Sequence, residues 1–187
     1  MRRRRPSPSA DGPGTPVPGT GGGRPKTGGL FLYWPVPLIV GLDWAGKWMA
    51  EQMFGGVKTL LPGLLRFNTV HHYGALFGYL DGASNPGTRW VIHAVSLACL
   101  SVLVILAART PSIKKMRHTG FACMIGGALG NMGNRMFCGH VTDFIQLGPL
   151  PIINGADLAL LAGILLILAD LGFEKDEGIT NHASRSF

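Results

Sequence analysis

Residues 126–161 read GGALGNMGNRMFCGHVTDFIQLGPLPIINGADLALL, and this stretch decides the fold because it holds the end of one apolar segment and the start of another. It opens on Gly126 and Gly130, whose spacing lets helix backbones approach each other closely in lipid. Its middle part, residues 136–153, is interrupted by Gly and Pro, which predicts an irregular return and not a helix. The stretch therefore predicts a closely packed helix followed by a loop that folds back.

Four apolar segments follow one another from residue 30 onward, at about 31–50, 88–108, 118–136 and 154–172. Each is long enough to cross a hydrocarbon core of about 30 Å as a helix. Only 14% of the residues are charged, whereas a soluble protein carries about 25%. The alternative, a soluble bundle of four buried helices, would need charged outer faces. We therefore predict an all-α membrane protein with four transmembrane helices.

The Lys and Arg residues behind the net charge of +7 lie mainly on one side of the predicted membrane. Residues 1–29 hold six of them, and the segment between the second and third helices holds four, whereas residues 51–87 and 132–153 together hold three. Because cytoplasmic loops carry the excess of Lys and Arg, both termini are predicted to be cytoplasmic. The charge thus predicts topology and contact with membrane lipids, and it does not indicate a nucleic-acid partner.

The two ends of the chain differ from its middle. Residues 1–29 contain 8 Gly and 6 Pro, and a segment of this composition cannot bury enough apolar surface to fold. We predict a disordered, basic, cytoplasmic tail there, a four-helix membrane domain over residues 30–172, and a second cytoplasmic tail over residues 173–187. The three cysteines lack CxxC spacing, which excludes a disulfide scaffold.

Residues 51–87 are long for a connection between two helices. They contain two β-prone pieces, Thr59–Leu61 and Leu64–Val70, separated by Pro62 and Gly63. This pattern predicts a small sheet or hairpin. The segment is therefore expected to form an outer, β-rich cradle.

Ionisable residues near membrane depth are functional candidates because burying them is costly. Asp143 follows the third helix and Asp157 begins the fourth, so the return between them can bring the two carboxyl groups together. Two close carboxylates cannot both ionise cheaply, so the pair shares a proton. One can then activate water while the other protonates a carbonyl or a leaving amine. The structural alternatives are that Asp157 caps the fourth helix or pairs with Arg135.

Two further candidates lie on the first helix. Asp43 and Lys47 are four residues apart and can face each other. They form either an intrahelical salt bridge near the outer end of the helix or a contact with substrate.

The histidines do not predict a metal site. His71 and His72 are adjacent in a β-prone piece, so their side chains point to opposite faces. His93 lies in the middle of a helix, and His140 lies in a different loop.

Several short motifs, in this order, resemble the lipoprotein signal peptidase (signal peptidase II) family: Asp43-x-x-x-Lys47, Gly74-Ala75-Leu76-Phe77, Gly126–Asn131, Arg135, Gly139–Phe144 and Asn154–Asp157. The resemblance covers about residues 30–172. It implies a membrane aspartic endopeptidase of the bacterial cytoplasmic (inner) membrane. Such an enzyme removes the signal peptide from diacylglyceryl-modified prolipoproteins, cleaving before the lipidated Cys at a site near the outer face.

The resemblance also implies roles for individual residues. Asp143 and Asp157 would be the catalytic dyad, with Asn131 and Asn154 beside them as hydrogen-bonding supports. Asp43 and Lys47 would hold the outer part of the substrate site, and residues 51–87, which include Gly74, would form the outer cradle that grips the substrate. Arg135 and Asn134 are counted among the supporting residues. The family implies no metal and no organic cofactor, and we expect a monomer whose partners are prolipoproteins and membrane lipids.

This chain departs from the family pattern at several positions. Asn134 stands before Arg135 where the family has Asp, Trp44 stands for Gln, His72 for Asn, and Leu76 for a small residue. These departures motivate one alternative, a catalytically impaired member that binds lipopeptides or lipoprotein precursors. Retention of both aspartates with their asparagine neighbours favours the enzyme. A third hypothesis, that the protein is a small transporter, is less well supported because the polar groups cluster at one face of the membrane.

Overall fold

The computed structural model describes residues 32–53, 56–73, 86–111 and 113–183. This part of the chain contains, in order, α1 (Pro35–Met53), β1 (Lys58–Leu61), β2 (Leu65–His72), α2 (Pro86–Arg109), α3 (Lys115–Cys138), β3 (Val141–Leu147) and α4 (Gly155–Ala183). The predicted tail over residues 1–29 and the candidate Gly74 lie outside the described residues.

Each of the four predicted apolar segments is a helix in the structure. α4 continues to Ala183, past residue 172, where the sequence prediction ended the membrane domain. Among the described helices, α2 over Gly87–Arg109 and α4 over Gly155–Glu174 are long and apolar enough to cross a membrane, with mean hydropathies of 2.5 and 2.1. α1 and α3 do not meet this criterion, and both carry polar residues that meet inside the bundle, such as Lys47 and Asn131.

α3 lies at the centre of the bundle and contacts each of the other three helices. Two of its glycines face α1: a Cβ added at Gly126 would lie 2.9 Å from Ile39, and one added at Gly130 would lie 2.7 Å from the Asp43 carboxylate. The close approach that the Gly126 and Gly130 spacing predicts is therefore confirmed. Without these glycines α1 could not reach the backbone of α3.

A second glycine face joins α3 to α4. A Cβ at Gly163 of α4 would lie 2.5 Å from the carbonyl oxygen of Gly120 and 2.5 Å from Met124 Cγ. Such contact between backbones is how small residues let helices associate in lipid, where burial of apolar surface gives no driving force.

The outer faces of the helices are apolar. Only 11% of the residues in each of the two most apolar windows are buried inside the protein. The exposed side chains on α1, α2 and α4 include Leu42, Trp48, Val91, Val95, Ile105, Leu161, Leu165 and Leu168. An apolar surface of this extent is typical of helices that face lipid.

The three strands form one antiparallel sheet in the order β1-β2-β3. The hairpin predicted from Thr59–Leu61 and Leu64–Val70 is confirmed, and its turn contains Gly63 with a φ of +76°. β1 and β2 with their turn are the described part of the predicted cradle.

The return between α3 and α4 is more regular than the sequence indicates. The prediction of an irregular segment over residues 136–153 is wrong in part, because α3 runs to Cys138 and Val141–Leu147 forms β3. Gly139, with a φ of +78°, ends α3 as a left-handed cap. β3 forms because the free edge of β2 offers a ladder of backbone hydrogen bonds, with His71 opposite Thr142 and Val70 opposite Asp143.

We expect Gly163→Ala to destabilise the protein. The added methyl group would overlap the Gly120 carbonyl and Met124, and overpacking of this kind costs about 1–3 kcal/mol. Thermal unfolding of the purified protein in detergent should show a lower Tm.

Gly172→Ala is the matched control on the same helix. Gly172 has no atom within 4 Å of an added Cβ, and replacing a helical glycine by alanine gains about 0.5–1 kcal/mol. An equal fall of Tm in both variants would contradict the packing argument.

Candidate active site

The first turn of α4 is closed by a reciprocal pair of hydrogen bonds. The Asp157 N–H donates to Asn154 Oδ1 at 3.0 Å, and the Asn154 N–H donates to Asp157 Oδ2 at 3.2 Å. This capping box satisfies N–H groups that would otherwise have no partner. The alternative that Asp157 caps the fourth helix is therefore confirmed as one of its roles.

The return between α3 and α4 carries Asp143 to the same place. The N–H groups of Phe144 and Ile145 donate to the Ile153 carbonyl at 3.0 and 2.9 Å, so the chain after β3 folds back on itself. Asn154 Nδ2 then donates to Asp143 Oδ1. Both aspartates thus share Asn154, whose side chain is fully buried.

Asn131 of α3 connects the pair to the rest of the bundle. Its Nδ2 donates to Asp157 Oδ1 at 2.9 Å. Its Oδ1 accepts hydrogen bonds from Asn154 Nδ2 at 3.1 Å and from Lys47 Nζ at 2.8 Å. The two asparagines therefore fix the positions of three of the four carboxylate oxygens from α3 and from the α4 cap.

Asp43 and Lys47 form the intrahelical salt bridge, with Lys47 Nζ 2.7 Å from Asp43 Oδ2. Each residue is only 3% exposed. Asp43 Oδ1 also accepts the N–H of Ala156 in the first turn of α4, at 2.8 Å. Both side chains are buried, and their contacts with Asn131 and Ala156 join α1 to α3 and α4 from inside.

Asn134 and Arg135 have separate surroundings. Asn134 is buried, and its Oδ1 accepts the N–H of Thr142, next to Asp143, at 2.8 Å. Arg135 interacts electrostatically with Asp157 and Asp143. Its buried Nε has no hydrogen-bond partner among the described residues. The alternative that Asp157 pairs with Arg135 is therefore supported only as an electrostatic interaction between the two side chains.

A groove between α2 and α3 lies beside Arg135. Its polar part has a volume of about 210 Å³ and is lined by Arg89, His93 and Arg135, among others. An adjoining apolar part of about 510 Å³ is lined by Trp90, Leu97 and Met132, among others. The groove offers space for an apolar ligand with a polar or anionic end.

Burial raises the pKa of Asp143 to about 6, and the negative charge of Asp157 acts in the same direction. The hydrogen bond from Asn154 and the charges of His72 and Lys47 oppose this rise. His72 Nε2 lies 3.3 Å from Asp143 Oδ2. The sequence did not predict this contact, although the alternation of side chains along β2 places His72 on the Asp143 face.

The site thus combines a carboxyl group that keeps its proton up to about pH 6 with a second carboxylate held by N–H donors. This pair lies at the end of a helical bundle whose outer faces are apolar. The fold and the site together define a helical membrane protein with a paired-aspartate centre suited to acid–base chemistry.

Comparisons with known proteins agree with this class. The family model described as Signal peptidase (SPase) II matches residues 36–173. The lipoprotein signal peptidase of Shewanella oneidensis is 35% identical over 158 residues, which cover 80% of this chain and 91% of that protein. The lipoprotein signal peptidase of Photorhabdus laumondii is 32% identical over 156 residues, which cover 80% and 92%. The chain belongs to the signal peptidase II family, which makes it a protease.

The fold of this chain is similar to that of a solved structure. A solved structure described as a bacterial membrane enzyme, determined by the in meso method at 2.3 Å resolution, has a TM-score of 0.68 with this chain at 22% identity. The shared region covers 81% of this chain and 92% of the other. The solved structure shares the fold of this chain, and the family membership together with the apolar helices indicates a bacterial membrane protein.

We expect Lys47→Met to lower the Tm strongly. The substitution leaves the Asp43 carboxylate buried without its cation, and breaking a buried ion pair in this way costs about 3–5 kcal/mol. Thermal unfolding in detergent measures the change.

The double variant Asp43→Asn/Lys47→Met is the matched control. The amide that replaces the carboxylate would keep an oxygen for the Ala156 N–H and bring no buried charge, so we expect the double variant to recover most of the lost Tm. A double variant less stable than Lys47→Met would contradict this account.

Proposed function

We propose that this protein is an aspartic endopeptidase that removes the signal peptide from diacylglyceryl-modified prolipoproteins, with Asp143 and Asp157 as its catalytic dyad. The observation that carries the proposal is the sharing of Asn154 by the two aspartates, one of which has a pKa raised to about 6. The names of its relatives, lipoprotein signal peptidases at 30–36% identity, support the substrate class. Cleavage before the lipidated Cys follows from the family resemblance.

The surroundings of the two carboxyl groups support different roles for them. Asp157 already accepts N–H groups from Asn131 and Asn154, so it acts as the hydrogen-bond acceptor of the pair and activates water. Asp143 is buried and its pKa is raised to about 6, so it acts as the acid. Asn131 and Asn154 are positioning residues in this scheme.

The reaction then balances without a covalent intermediate. Asp157 takes a proton from water as the water oxygen attacks the scissile carbonyl carbon, and Asp143 gives its proton to the carbonyl oxygen. When the tetrahedral intermediate collapses, the C–N bond breaks and the amine leaves with the proton held by Asp157. The hydroxyl proton returns to Asp143, which restores the starting state.

The groove between α2 and α3 provides a place for the apolar parts of such a substrate. Its apolar wall contains Trp90, Leu97 and Met132, and Arg89 and Arg135 lie at its polar end. A diacylglyceryl group and a signal helix both require an apolar surface. We place the substrate there, with its scissile bond directed toward the aspartates.

The proposal includes the arrangement in the membrane. Four helices cross the bilayer, both termini are cytoplasmic, and the aspartates lie near the outer face. The apolar outer faces of the helices and the Lys and Arg distribution support this orientation. On the cytoplasmic side, Arg117 joins α3 to α4 through Asp170 at 2.6 Å. The protein acts as a monomer in contact with membrane lipids.

The decisive experiment is cleavage of a diacylglyceryl-modified prolipoprotein by the purified protein in lipid. Asp143→Asn and Asp157→Asn should each lower the rate by about 10³-fold or more, because each removes one proton-transfer group. The cleaved product is identified by mass spectrometry at the lipidated Cys.

Asp170→Asn is the matched control, since it makes the same chemical change on α4, far along the helix from its first turn. Asp170→Asn removes one ion pair of Arg117, which keeps its ion pair with Glu174 at 2.6 Å. The cleavage rate should therefore stay within about twofold. Cleavage that persists in both dyad variants would refute the assignment of the dyad.

The pH dependence of kcat/KM provides a separate prediction. The proton that Asp143 donates is present below its pKa and lost above it, so kcat/KM should fall as pH rises through about 6. The charged groups that set this value are Asp157 of α4, His72 of β2 and Lys47 of α1. Initial rates measured from about 1.5 pH units below this pKa to about 2 units above it define the falling limb.

His72→Asn removes an imidazole whose positive charge lowers the pKa of Asp143. The falling limb should therefore move to higher pH. A profile without a limb in this range, or a limb that stays fixed in His72→Asn, would argue against Asp143 as the acid.

A further inference from the structure

We propose that Glu51, His71 and His140 bind one divalent transition-metal ion, of which Zn²⁺ is the representative, on the opposite face of the sheet from the aspartates. The proposal concerns a binding site and does not rest on the peptidase activity.

Three different elements bring these side chains together. Glu51 lies in the last turn of α1, His71 lies in β2, and His140 lies between α3 and β3. One ligand atom from each lies within 4.8 Å of the others. His71 Nε2 is 3.7 Å from Glu51 Oε1, and the rings of His71 and His140 have centroids 4.2 Å apart.

The alternation of side chains along β2 explains why this group was not predicted. His71 and His72 point to opposite faces, as the sequence indicates, and His72 faces Asp143. This geometry excludes a site made by the two adjacent histidines. His140 was set aside because it lies in a different loop, and Glu51 was not considered. Only the antiparallel pairing of β2 with β3 and the packing of α1 bring these two residues to His71.

The spacing suits a small metal ion. Zn²⁺ binds His nitrogen and carboxylate oxygen at about 2.0–2.2 Å, so two ligands in a tetrahedral site lie about 3.4 Å apart. The 3.7 Å between His71 and Glu51 differs from this by a few tenths of an ångström. The side chains of these two residues are 42% and 36% exposed, which leaves room for the ion to enter and for water to complete its coordination.

A neighbouring hydroxyl group holds one ligand in place. Thr142 Oγ1 donates to Glu51 Oε1 at 2.7 Å, and Thr142 is fully buried and lies opposite His71 in the β2–β3 ladder. Hydrogen bonds of this kind orient metal ligands and raise affinity. The carboxylate is therefore already directed toward the two imidazoles.

The ligand types select the class of ion. Two imidazoles with one carboxylate suit Zn²⁺, Cu²⁺ or Ni²⁺, whereas Mg²⁺ and Ca²⁺ prefer oxygen ligands alone. Zn²⁺ is redox-inactive and therefore the simplest probe.

The test is equilibrium dialysis of the full-length, tag-free protein in detergent against Zn²⁺, with bound metal measured by atomic absorption. We expect saturable binding of one Zn²⁺ per chain. Glu51→Gln, His71→Ala and His140→Ala should each weaken binding by about tenfold or more. His93→Ala, which removes a histidine outside the cluster, should leave the affinity unchanged.

Clear outcomes would overturn the proposal: no saturable binding in the wild type, binding that survives all three substitutions, or equal weakening by His93→Ala. Binding of Mg²⁺ as tight as that of Zn²⁺ would overturn the choice of metal class. A thermal unfolding transition without metal confirms that each variant is folded, and any two folded variants of the three decide the result. Because the readout is bound metal, the outcome is independent of whether the protein cleaves prolipoproteins.

Discussion

The first turn of α4 is the constraint on which the rest of the structure depends. Its N–H groups lie inside an apolar bundle, where each one left without a partner costs free energy. Asp43, a residue of α1, accepts the N–H of Ala156, and the capping residue Asn154 accepts the N–H of Asp157. The need to satisfy this helix end therefore brings α1 and α4 together with polar side chains between them. Asp157 is held as part of the same cap, so a proposed catalytic group is positioned by interactions that the helix requires in any case.

The small residues of α3 make this arrangement possible. Helices in lipid gain little from burying apolar surface against each other, so their association depends on close backbone contact and polar links. Gly126 and Gly130 admit α1, and Gly120 contacts Gly163 of α4. At Gly130 the space that a side chain would fill is taken by the carboxylate of Asp43. The same glycine thus allows both the packing of the helices and the buried ion pair that links them.

Local patterns were sufficient to predict the helices, the β1–β2 hairpin and the loop that unites Asp143 with Asp157. They failed where the outcome depends on pairing between distant segments. β3 was missed because Gly139 and Gly148 indicate a loop, and the strand forms only on the edge of β2. For Asp43 and Lys47 the sequence left two alternatives open, since spacing along one helix does not reveal burial. The partner of Asp43 in α4 likewise follows from packing and not from any local signal.

The charges around the aspartates explain how Asn134 fits a position where the resemblance leads one to expect an acid. Its amide oxygen holds the Thr142 N–H as a carboxylate oxygen would, and so fixes the strand that carries Asp143. Lys47 and Asp43 neutralise each other. Arg135 interacts electrostatically with both Asp143 and Asp157. A further carboxylate at position 134 would add negative charge beside this pair and raise the cost of ionising it. The neutral amide of Asn134 is therefore compatible with the proposed pair of aspartates, because the charge of Arg135 acts on these two aspartates themselves.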